Sequence, residues 1–147
     1  MADEKKSTAT VEPAEKPKVV KQKATPIAGG KLAVILVRGL MGTRGDTRDT
    51  LFMLRLRKKH ACVILDDNTI NRGMLAKAKN YVAFGPIKQE SIDALAKARK
   101  PVDTKKPVYH LAPPKGGFER GGIKKTFVQG GVLGFRKEMD TLIKKMM

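Results

Sequence analysis

RDTLFMLRLRKKHACVILDD, residues 48–67, decides how this chain is read. Leu51 and Leu54, with Phe52 and Leu56 beside them, form an apolar face at helical spacing, while Arg48, Arg55, Arg57, Lys58 and Lys59 point elsewhere. The pattern predicts one helix through these residues, passing by way of His60 into a buried strand over ACVIL, residues 61–65. Such a helix commits its reverse side to a core and holds several cations on a rigid outer face. That arrangement suits the binding of phosphate better than it suits chemistry.

Working outward, LAVILV at 32–37 is a nearly continuous, β-branched apolar run and reads as a central strand. The loop that follows carries glycines at 39, 42 and 45. Asp46 or Thr47 is the expected helix cap, with Asp49 favourable in the first turn. Asp66, Asp67 and Asn68 signal a turn, and a second helix is expected over 71–82, where Ile70, Met74, Ala78 and Val82 recur four apart. Phe84-Gly85-Pro86 ends it. A third helix over 90–100 turns Ile92, Leu95 and Ala96 inward and stops at Pro101, and a short strand follows at 108–111. The stretch PPKGGFERGGIKKTFVQGGVLGF has almost no periodicity and reads as a glycine- and lysine-rich loop with no fold of its own. A last helix, 137–146, sets Met139, Leu142, Ile143 and Met146 on one face. Leu51, Leu54, Met74 and Leu95 are the expected core.

The 147 residues suffice for one domain with a tail, and the formal charge of +17 implies a polyanionic partner. A membrane partner is disfavoured, because the longest apolar run, 32–37, is too short to span a bilayer. No apolar secretory segment follows Met1. The single cysteine, Cys62, lies in an apolar run with no disulfide or zinc partner, which fits a reducing, cytoplasmic setting. Residues 1–30, rich in Lys, Ala, Pro and Thr and without an aromatic, are expected to be a basic arm that is disordered on its own.

No motif points to catalysis, a cofactor or a metal. The glycines at 39, 42 and 45 are spaced GxxGxxG, which is neither the dinucleotide pattern nor a Walker loop. A nucleic-acid clamp of the KH kind would join two helices, whereas this loop joins a strand to a helix. Its glycines are better suited to close approach to RNA phosphate, with Arg38 and Arg44 alongside. Asp66 and Asp67, adjacent at a strand end, serve a turn and a cap. His60 and His110 read as packing or phosphate-contacting residues, since no activated nucleophile accompanies them. The cations carry the signal. The expected RNA contacts are Arg38, Gly39, Arg44, Arg48, Arg55, Arg57, Lys58, Lys59, Arg72, Lys77, Lys79, Lys115, Arg120, Lys124, Lys125 and Arg136, with Phe118 and Phe127 able to stack or wedge.

Arg38-Gly39, then RDTLFMLRLRKKHACVILDD, NRGMLAKAKNYVAFG, YHLAPPKGGF and GFRKEMDTLIKKM occur in an order that resembles the large-subunit ribosomal protein L-thirty family. The resemblance is to its archaeal branch, whose eukaryotic relatives are called L-seven, and it covers residues 31–147. It implies an α+β fold with a β-α-β-α-β core, a three-stranded sheet centred on the first strand, helices on one face, and the glycine/lysine-rich C-terminal loop and terminal helix of the longer archaeal and eukaryotic type. The chain then divides into an arm (1–30), an RNA-binding α+β domain (31–112) and an RNA-threading loop with its helix (113–147). The implied role is structural, in the cytoplasmic ribosome, with large-subunit ribosomal RNA and neighbouring ribosomal proteins as partners and no small-molecule substrate. The connection between Gly85 and Val108 is shorter than in many archaeal relatives, and residues 1–30 match no family motif. The competing expectation is an architectural DNA-binding protein, against which stands the lack of a recognition-helix motif.

Overall fold

The computed structural model describes residues 30–102 and 107–147. The predicted arm, residues 1–30, therefore lies outside the described residues except for Gly30. In chain order the elements are β1 (Lys31–Leu36), α1 (Gly45–Met53), β2 (Ala61–Asp66), α2 (Thr69–Ala78), β3 (Val82–Pro86), α3 (Gln89–Ala98) and β4 (Val108–His110). A single 3-10 turn (Phe127–Gln129), β5 (Gly134–Phe135) and α4 (Asp140–Met146) follow. The fold is α+β. One sheet runs β4-β2-β1-β3-β5, with β1 at its centre, antiparallel to both neighbours, and β5 parallel to β3.

The sheet has five strands rather than three, and its helices cover both faces rather than one. The cause is already present in β1. Leu32, Val34 and Leu36 point to one side, where they bury Leu51 and Leu54 from α1 and its end and Leu75 and Ala78 from α2. Ala33, Ile35 and Val37 point to the other, against Leu95 of α3 and Met139, Leu142, Ile143 and Met146 of the C-terminal segment. A strand apolar on both alternating sets needs a layer on each side. The second layer comes from α3, α4 and the C-terminal segment, so residues 113–147 share a core with the region before them. Cys62 sits in that core, where burial pushes its thiol pKa up to about 12 and leaves it inert.

The helix expected to run through the opening stretch stops at Met53. Leu56 is fully buried along with Leu51 and Leu54, and a helix cannot place positions 54 and 56 on one face. The chain solves this with a left-handed residue, Arg55 (φ 60°). The Arg55 N–H donates to the Phe52 carbonyl and the Leu56 N–H to the Leu51 carbonyl, both at 2.9 Å. This is a Schellman ending, with Leu56 packed back toward Leu51 and arginine where glycine is usual. Arg55→Gly is accordingly expected to leave the fold at least as stable as wild type, by up to about 1 kcal/mol. Arg55→Val should lose about 1–2 kcal/mol, because a β-branched side chain resists the left-handed region. Denaturant midpoints of the two variants check the opposite signs.

Other expectations shift in similar ways. The start of α1 falls at Gly45, so Arg44 occupies the cap position and Asp46 the first turn. The second helix ends at Ala78, and Val82 begins a strand instead of continuing the four-residue rhythm. Met74 is only half-buried, Leu75 takes its place in the core, and Ile70 is 75% exposed. The C-terminal loop is held rather than open. Gly121 N–H donates to Gly130 O, Phe127 N–H to Leu133 O and Gly131 N–H to Thr126 O, and Phe118 and Ile123 pack on the core.

Candidate nucleic-acid interface

Strand pairing decides where the candidate residues lie. The register pairs Leu36 with Val82 and Ala61 with His110, and it sets Gly134 of β5 beside Ala83. The end of β1, the starts of β2, β3 and β5 and the end of β4 therefore share one end of the sheet. Hydrogen bonds lace that end together: Val37 and Arg38 N–H to Tyr81 O, His60 N–H to Leu36 O and Leu111 N–H to His60 O. The loop that holds Arg38 and Gly39, the segment Arg57-Lys58-Lys59, Lys79 after α2 and both roots of the C-terminal loop converge there.

Several side chains at this end are positioned by aromatic rings. The Arg38 guanidinium lies 5.1 Å from the Tyr81 ring centre, and its Nη1 donates to the Asn80 carbonyl at 3.3 Å. Arg48 and Arg57 flank Phe52 at 5.3 and 6.0 Å. His60, another left-handed residue (φ 65°), stacks on Phe118 with ring centres 6.0 Å apart and planes 14° from parallel, joining the C-terminal loop to the start of β2. Burial and the charge of Lys59 hold its imidazole below the usual histidine range, so it stacks as a neutral ring at pH 7. Gly39 has open space where a side chain would project. The protein's own packing does not require glycine there, although close approach by another molecule would.

The remaining candidates do not all belong to this end. Arg44 is exposed and paired with Asp46 at 3.2 Å. Lys77, Lys115, Arg120, Lys124 and Lys125 are exposed. Arg72 sits at the opposite end of the sheet, its Nε and Nη2 donating to Oδ1 and Oδ2 of Asp67. The Arg72 hydrogen bonds hold the Asp67 carboxyl below the usual range, so the pair locks the turn from β2 into α2. Arg136 is 6% exposed, donates to Glu119 at 2.5 Å and backs the Phe127 ring at 4.8 Å. It is built into the support of the C-terminal loop and presents no charge at the surface.

The sequence alone missed a cavity of about 550 Å³ where the end of α1 passes the outer strand β4. Phe52, Met53, Val102 and Val108 form its apolar wall, and Arg55, Arg57, Lys58 and His110 its polar one. Met53 at 77% and Val102 at 62% are among the most exposed large apolar residues described. Two such residues bordering a basic stretch would have been the available signal. Among the described residues no group of three metal-ligating side chains occurs, and no helix is long and apolar enough to cross a membrane.

The family profile described as ribosomal protein L30p/L7e matches residues 32–82, from β1 to the first residue of β3. A large ribosomal subunit protein uL30 of Methanococcus vannielii is 36% identical over 151 aligned positions, covering 78% of this chain and 98% of that protein. The chain belongs to the L30p/L7e family. Its similarity to another uL30, from Methanopyrus kandleri, is 34% over 148 positions, with 75% of this chain and 99% of the relative covered. The uL30 of Methanoregula boonei is 33% identical over 153 positions, which take in 78% of this chain. Alignments longer than the 147-residue chain that still leave part of it uncovered mean that these L30p/L7e relatives carry residues this chain lacks.

Proposed function

We propose that this L30p/L7e protein is a structural constituent of the large ribosomal subunit in the cytoplasm. It binds ribosomal RNA through the basic end of its sheet and through its C-terminal loop, beside neighbouring ribosomal proteins. The observation that carries this reading is the convergence of separated cationic segments (Arg38, Arg57 to Lys59 and Lys79) and of both roots of the lysine-bearing C-terminal loop on one end of a rigid sheet, in a chain of net charge +17. The role is structural rather than catalytic. Of the 16 expected contacts, Arg136 is buried against Glu119 and Arg72, a third exposed, is bonded to Asp67, and the other 14 carry the reading.

The test is sedimentation of tagged protein from a lysate at moderate and then high salt. Travel with the large subunit supports the reading; release at the top of the gradient, or travel with DNA through ribonuclease treatment, overturns it. With about eight phosphates neutralised, affinity for RNA should fall with log salt at a slope of about −6 to −7. Lys124→Glu with Lys125→Glu is expected to weaken subunit incorporation at least tenfold. Both side chains are exposed, so the fold of the isolated protein should be unchanged. Normal incorporation of that variant would remove the loop from the interface.

A further inference from the structure

We propose that the cavity between the end of α1 and β4 receives a single unpaired nucleotide of RNA. Its base lies on the wall of Phe52, Met53 and Val102, and its phosphate lies between Arg57 and Lys58. The inference rests on the RNA-binding reading above and adds to it the state of the nucleotide and the place it occupies.

The lining has two chemistries at once. A duplex offers a protein mainly phosphates and sugars, so cations alone would serve to hold it. An apolar wall beside those cations suits a ligand that shows a flat apolar face together with a negative charge, and an unpaired nucleotide is such a ligand. No aspartate or glutamate lines the cavity among the described residues. Its volume of about 550 Å³ falls within the range of about 300–1,000 Å³ typical of pockets for single small groups.

The wall is also preformed. Phe52 has two guanidinium groups near its ring, Arg48 at 5.3 Å and Arg57 at 6.0 Å from the ring centre, and these contacts orient it before a base arrives. The Schellman ending at Arg55 fixes the backbone from Phe52 to Leu56, and hence the angle between the apolar wall and the cations that follow. Met53 and Val102 remain largely exposed at the rim, which costs free energy in water and is relieved when a base covers them. His110, an exposed residue of the same lining, adds an imidazole able to donate to phosphate or to a base edge.

The experiment compares two RNA hairpins of the same stem, one with a single-nucleotide bulge and one fully paired, binding to the full chain. The bulged hairpin should bind roughly tenfold tighter, the size of one base stacked on an aromatic ring. Met53→Glu places a carboxylate in the cavity at a position already exposed. It should abolish the preference for the bulge while changing affinity for the paired hairpin no more than Ile70→Glu does. Ile70→Glu makes the same charge change at an exposed site on α2 and should leave the preference intact. Phe52→Leu keeps an apolar wall without its ring and should lose most of the preference. Equal binding of the two hairpins by wild type, or a preference that survives Met53→Glu, overturns the nucleotide site while leaving RNA binding in place. Failure to bind either hairpin overturns both readings.

Discussion

Gly85→Ala is expected to cost about 3 kcal/mol or more of stability and to loosen the C-terminal third of the chain. Gly85 lies in β3, paired with Ala33 of the central strand, on the face covered by α3 and α4. A Cβ there would stand 2.1 Å from the backbone carbonyl oxygen of Arg136 and 3.0 Å from Cγ of Met139. The first obstacle is backbone and cannot rotate away. It belongs to the segment that docks beside β3 through the Arg136 N–H to Phe84 O bond of 2.8 Å, so relief means undocking β5. That in turn lifts Met139, Leu142 and Ile143, all buried, from the sheet. Gly73→Ala is the matched control. Gly73 is exposed in the middle of α2 with nothing within 4 Å of its missing Cβ, and alanine there should gain about 0.5–1 kcal/mol from helix propensity. Denaturant melts of the two variants, with limited proteolysis of the segment after His110, read the difference. A Gly85→Ala protein within 1 kcal/mol of wild type, with an equally resistant C-terminal segment, would show that the strand and the segment are not locked together as described.

The same region marks the boundary of what the sequence made legible. β1 was readable because both of its alternating residue sets are apolar. That fact also argued for two covering layers, which the family pattern of helices on one face obscured. β3 was hidden because Val82 continues the four-residue spacing of Ile70, Met74 and Ala78, and the strand that follows ends in Gly85 and Pro86. Its pairing with β1 is a long-range choice with no local signature. β5 has two residues and exists only because β3 offers it an edge. The end of α1 carried no glycine to announce the left-handed turn, so Arg55 read as one more helical cation. In the candidate interface, the charge of each residue was legible and its destination was not. Arg120 and Arg136 look alike along the chain, yet one is exposed and the other lies inside the fold opposite a carboxylate. What gathers Arg38, Lys58 and Lys79 at one end is the register of three strands, β1, β2 and β3, a property of the sheet rather than of any segment.

Removing that carboxylate should be the second large perturbation. Glu119→Ala leaves the Arg136 guanidinium buried without its charge partner, with Nε and Nη1 already lacking hydrogen-bond partners among the described residues. A fully buried pair broken on one side loses about 3–5 kcal/mol. Glu119 retains 30% side-chain exposure and water can reach the gap, so about 2–4 kcal/mol is expected. Replacing both residues, Glu119→Leu with Arg136→Met, should recover most of that loss, because no charge then remains to be solvated. The pair also sets a pH dependence. Burial alone would raise the Glu119 carboxyl, but the hydrogen bond from Arg136, its own backbone N–H and the charges of Arg136 and Lys145 outweigh it and hold the group below the usual glutamate range. A depressed carboxylate contributes stability that is fully present above its unfolded pKa of about 4.3, and that is lost as pH falls through the folded value. Wild type should therefore lose stability more steeply than the double variant between neutral pH and the acid side of that window. Because Arg136 backs the Phe127 ring, the acid loss should start in the C-terminal loop, with hydrogen exchange at the Phe127 and Gly131 amides rising before that of β1. Parallel pH profiles for wild type and the double variant, or a Glu119→Ala loss under 1 kcal/mol, would show that the pair is not what anchors the loop.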